Sequence, residues 1–63
     1  MSFKSCIGKT VLIVTKTGEE FFGVVEDYLF PKHNGYRSKS IIMKTDGYLI
    51  EFRKKEIKCI EVV

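Results

Sequence analysis

Four cations fall within nine residues near the C-terminus, in Phe52-Arg53-Lys54-Lys55-Glu56-Ile57-Lys58-Cys59-Ile60. Guanidinium and ammonium groups so placed can neutralise phosphates, and an arginine can also stack on a base. Glu51 and Glu56 interleave with them, so the plainer reading is a solvated turn that keeps one end of a domain soluble. A second set, Lys32, His33, Asn34, Tyr36, Arg37 and Lys39, mixes rings with cations. A base can stack on Tyr36 or His33 while the cations follow a backbone, which suits single-stranded nucleic acid. The plainer reading there is an exposed polar loop with Tyr36 folded over a rim.

Reaction chemistry finds no such support. His33 is a lone histidine in a loop, and no Ser or Cys sits in a recognisable nucleophile motif. Glu19-Glu20 and Glu26-Asp27 are adjacent carboxylates on strand-like segments, where neighbours point to opposite faces and cannot share acid/base work. The glycines are scattered as turn residues and form no phosphate loop. Two Cys and one His without close spacing make no zinc site. The expectation is a binding protein with no enzymatic activity, no metal and no cofactor.

The elements that must hold these residues are strands. Lys9 to Lys16 places four β-type apolar residues between polar flanks, and Thr17-Gly18 supplies a tight turn. Glu19 to Phe30 reads as a long strand, with Gly23 expected to mark a bend or bulge. Pro31 ends it, and residues 32–39 form the polar connection, with an Asn34-Gly35 turn signal. Ser40 to Thr45 and Tyr48 to Arg53 are strands joined by Asp46-Gly47. Residues 54–56 make a short turn, and Ile57 to Val63 is the fifth strand. Ile57 and Ile60 lie three apart instead of two, which calls for a tight helical turn or kink feeding that strand. Residues 1–8 form a short helical turn or a loose leader ending at Gly8. Five short antiparallel strands with glycine turns, and no amphipathic helix, imply an all-β fold: a small, strongly bent barrel of the SH3-like or OB-like kind.

Sixty-three residues make one domain, residues 1–63. A chain this short buries only about 60% of the surface its unfolded state exposes, so it needs tight packing or a partner. Hydrophobic residues make up 44%, which argues against disorder. Eleven Lys and Arg against eight Asp and Glu give a net charge of +3, a mild excess that permits nucleic acid or an acidic protein as partner without demanding either. No apolar run is long enough to span a membrane, and the start lacks the apolar core of a signal peptide, so the cytoplasm is expected. In that compartment Cys6 and Cys59 are expected to be reduced apolar fillers and not a disulfide.

The strand pattern resembles the Sm-like family, the small barrels that assemble into rings and bind RNA. Val11-Leu12-Ile13-Val14, then Gly18, then Gly23 five positions later, then Val25 is similar to the first Sm motif. Phe52-Arg53-Lys54, with Ile57 and Ile60 at the following spacings, is similar to the second. Ile7-Gly8-Lys9-Thr10-Val11 resembles the stretch joining the Sm helix to its first strand. Together these cover most of the chain. Lys54 stands where the family has Gly, and Asp27 and Asn34 do not fall at the separations of the Asp and Asn that hold an RNA base. The resemblance therefore implies the barrel more firmly than the pocket.

The last two strands carry more apolar surface than one face requires. Leu49, Ile50, Ile60, Val62 and Val63 are expected to meet a second copy, as Sm-like proteins pair their fourth and fifth strands between neighbours. The leading expectation is a self-associating barrel that binds single-stranded RNA through Arg53, Lys54, Lys55, Tyr36, Arg37, Lys39, His33 and Asn34. The alternative is a protein-interaction adaptor, such as an accessory protein of a phage or mobile element, binding a protein through a strand edge or the 31–39 loop.

Overall fold

The computed structural model describes residues 3–29 and 39–63. Five antiparallel strands form one sheet: β1 (Thr10–Thr15), β2 (Glu20–Leu29), β3 (Ser40–Thr45), β4 (Tyr48–Arg53) and β5 (Ile57–Val62), in the order β4-β3-β2-β1-β5. Short 3-10 turns at Phe3–Cys6 and Lys54–Glu56 are the helical elements among the described residues. The strands expected from sequence are all present, with ends differing by one residue. Residue 30 and the connection 31–38 lie outside the described residues.

Local chemistry sets the two described hairpins. At the first, Gly18 adopts φ +90, a conformation open to glycine without steric cost. Its N–H donates to the Thr15 carbonyl at 2.9 Å, and the Thr15 hydroxyl accepts from the Glu19 N–H at 3.1 Å. At the second, Asp46 (φ 49) and Gly47 (φ 81) make the two-residue turn whose twist matches that of its flanking strands.

The sheet is strongly curled, and the chain itself forces this. β4 and β5 are its opposite edges, which in a flat sheet would stand about 19 Å apart. Yet three residues, Lys54–Glu56, join them as a 3-10 turn, and that turn advances only about 2 Å per residue. Phe21 on β2 and Phe52 on β4 meet across the hollow, over the intervening β3, with ring centroids 5.1 Å apart. The two edges are not paired with one another among the described residues, so the barrel-like sheet is left unclosed.

Gly23 contributes to the curl by its lack of a side chain, but it is not the bulge. A Cβ there would stand 2.7 Å from Cγ and 2.9 Å from Sδ of Met43, and would collide with the Lys44 carbonyl oxygen. The register shift in β2 comes three residues later: Val25 pairs with Met43 and Asp27 with Ile42, leaving Glu26 as the extra residue. A second shift explains the spacing of Ile57 and Ile60. Thr15 pairs with Ile57 and Val14 with Cys59, so Lys58 is extra and the alternation of faces resets. Ile57 is then buried beside Thr15, and Ile60 packs on the core opposite Ile13.

The concave face holds the core, with Val11, Ile13, Val25, Ile41 and Met43 fully buried. The N-terminal turn covers one end of it through Cys6, also fully buried. Its exit is pinned to β2, since the Gly8 N–H donates to the Val25 carbonyl at 2.8 Å and the Val25 N–H to the Lys9 carbonyl at 3.0 Å. Cys59 is exposed instead, so only one of the two unlinked thiols is a core filler. No helix among the described residues is long and apolar enough to cross a membrane.

Candidate nucleic-acid interface

The basic turn is built from three directions. β4 delivers Arg53 at its last position, half-buried and paired with the buried Ser40 of β3. The Arg53 N–H donates to Oε1 of Glu56 at 3.1 Å, so this glutamate stabilises the turn that presents the cations. The Lys54 N–H donates to the Lys39 carbonyl at 2.8 Å, and the Lys16 N–H to the Glu56 carbonyl at 2.9 Å. Held this way, Lys54 and Lys55 project from a fixed backbone and are exposed.

The Lys39 contact brings the end of the basic loop to the Arg53 turn. Lys39 is exposed, immediately before β3, and lies beside Lys54 through their backbones. The Sm-like resemblance implies that the loop and the Arg53 turn approach one another on one rim; among the described residues the β3–β4 register brings Lys39 to that turn. Tyr36, Arg37, His33 and Asn34 lie outside the described residues. Asp27 pairs with Ile42 and bonds the Tyr28 N–H through Oδ1 at 2.8 Å.

Comparison with protein-family models, with curated proteins and with solved structures found no match.

Lys16 escapes the sequence reading. It follows β1 and looks like an ordinary polar flank of a hairpin. Pairing of β1 with β5 puts it against the basic turn, where it lines a cavity of about 470 Å³ with Lys54, Lys55 and Lys58. Sequence offers no signal for this, because residues 16 and 58 meet only through the curl. Among the described residues no group of three His, Cys, Asp or Glu side chains could hold a metal ion.

The apolar edge residues divide. Leu49 (66% exposed), Val62 and Val63 lie open to solvent, while Ile50 and Ile60 pack against the core. Backbone direction matches this division. The two-residue turn makes Thr45 and Tyr48 a hydrogen-bonded pair, so alternation leaves the amide and carbonyl of Leu49 and Glu51 facing away from β3. The Val63 N–H donates to the Thr10 carbonyl at 3.0 Å, which makes Val11 and Val62 a non-hydrogen-bonded pair. Ile60 and Val62 accordingly turn their backbone groups away from β1. Tyr48 and Phe22 are also exposed.

Proposed function

We propose that this chain is a non-enzymatic, Sm-like barrel of the cytoplasm that binds single-stranded RNA through the rim where Lys39 meets the Arg53–Lys55 turn. The observation that carries this reading is the 2.8 Å hydrogen bond from the Lys54 N–H to the Lys39 carbonyl, which brings Lys39 beside the Arg53–Lys55 turn. Arg53 is suited to stack on a base or to fork onto a phosphate, with Lys39, Lys54 and Lys55 as point charges around it. The five-stranded antiparallel sheet is compatible with a small β fold, and the Sm-like part of the reading rests on the motif spacings in the sequence. Self-association belongs to the same reading. The edge with Leu49 and Glu51 complements the edge with Lys58, Ile60 and Val62 in both apolar character and charge. The test is fluorescence anisotropy with a labelled single-stranded RNA across a salt series, wild type against R53E. Affinity that ignores both salt and the charge reversal would remove the rim as an RNA site.

A second reading, an adaptor that takes a protein strand onto a free edge, is favoured by the exposure of Leu49 and Val62 on the two edge strands. It predicts that edge substitutions abolish partner capture while R53E does not.

A further inference from the structure

The cavity beside the rim has a composition that the strand-binding reading does not use. Among the described residues its walls are Lys16, Lys54, Lys55 and Lys58, with Ile57, Cys59 and Ile60 beside them, and no carboxylate lines it. Four of the chain's eleven cations thus gather on one concavity, each exposed. Their mutual repulsion has no acidic counterweight within the walls, so a multiply charged anion is the ligand that relieves it most. The isoleucines give the same space an apolar side, and about 470 Å³ lies in the range of small-molecule sites.

Charge density separates two kinds of phosphate. An internal phosphodiester brings one negative charge per residue along a strand, whereas a terminal phosphomonoester carries between one and two at a single point near neutral pH. Four ammonium groups around one cavity match the second. We propose that this cavity binds a terminal phosphate together with its attached base: the phosphate on Lys16 and Lys58, the ring over Ile57 and Ile60. The ligand is a free nucleotide or the phosphorylated end of an RNA strand, chemically the same group. The choice of a nucleotide over other aromatic phosphates rests on the RNA-binding reading; the site shares Lys58 and Ile60 with the edge assigned there to self-association, while Lys16 belongs to the cavity alone.

The experiment is calorimetric titration of the full chain with adenosine 5′-monophosphate, adenosine, inorganic phosphate, and short oligoadenylate bearing a 5′-phosphate or a 5′-hydroxyl. The monophosphate is expected to bind at least about tenfold tighter than adenosine or inorganic phosphate, because only it fills both the charged and the apolar parts. K16S and K58S should each weaken it about tenfold, and K58R should restore it, while R53E shifts it much less. Tighter binding of the 5′-phosphorylated strand than of both the monophosphate and the 5′-hydroxyl strand identifies an RNA end as the ligand. Equal affinity of monophosphate and 5′-phosphorylated strand identifies a free nucleotide. If both strands fail while the monophosphate binds and depends on Lys16 and Lys58, the RNA reading falls and this site stands. A monophosphate that binds no better than its parts, or binds K16S and K58S unchanged, overturns the proposal.

Discussion

The Lys54 N–H and the Lys39 carbonyl oxygen are 2.8 Å apart, and through this bond the turn after β4 and the residue before β3 become neighbours. Neither side chain is involved. The cations are placed by backbone, so a lysine can be exchanged at either position without moving its neighbour. K39S and K54S should leave the unfolding midpoint unchanged while each lowers the slope of log affinity against log salt by roughly 0.7 for single-stranded RNA. Paired denaturation and salt-titration series would check this, and unchanged slopes in both variants would exclude these lysines from the contact.

Gly23 should be among the least replaceable residues. G23A would drive a methyl into the Met43 side chain and the Lys44 carbonyl, and the carbonyl belongs to a paired strand that cannot yield cheaply. A loss of about 3 kcal/mol is expected, at the upper end of overpacking costs. Urea denaturation measures it. A variant as stable as wild type would mean that β2 and β3 can separate locally without penalty.

The tilted contact between Phe21 and Phe52 gives a direct readout of the curl. F21L and F52L should each destabilise the fold by about 1–1.5 kcal/mol, and the double variant by less than their sum. The coupling is expected at about 0.5–1.5 kcal/mol. Strict additivity in this cycle would place the two rings apart in solution.

Cys59 should react with a thiol reagent in the native protein, and Cys6 only on unfolding, because one is exposed and the other fully buried. The number of fast-reacting thiols in native protein, one, is the quantity to measure. Two fast thiols would show that the N-terminal turn detaches from the core.

Self-association can be read from native mass by light scattering at two concentrations. L49K and V62K replace exposed apolar residues on the two open edges and should both lower the mass without lowering the unfolding midpoint. A mass equal to one chain for wild type at both concentrations removes self-association from the proposed function.

Much of the fold is readable in the residues themselves. Gly18 and Asp46-Gly47 fix two hairpins by local conformation, and runs such as Val11-Leu12-Ile13-Val14 mark strands without tertiary help. The register shifts are harder. Ile57 and Ile60 announce an irregularity by their spacing, yet that spacing suits a helical turn or a bulge equally, and only pairing with Thr15 and Val14 picks out Lys58. Glu26 carries no mark at all, whereas Gly23 does and invites the wrong position. The candidate site follows the same logic: Arg53, Lys54 and Lys55 are neighbours in sequence and easily grouped, but Lys16 and Lys39 join them only through strand pairs that no local pattern encodes.

The strand order carries a kinetic meaning. β1 with β2, β2 with β3 and β3 with β4 are sequential neighbours, so each pair needs only a short loop to close. The exception is β5, which docks on β1 with Val11 opposite Val62, roughly fifty residues apart along the chain. That closure carries the largest chain-entropy cost of any pairing among the described strands. Lys16 and Lys58 come together only through that pairing, so the lysine-lined cavity depends on the longest-range contact among the described strands.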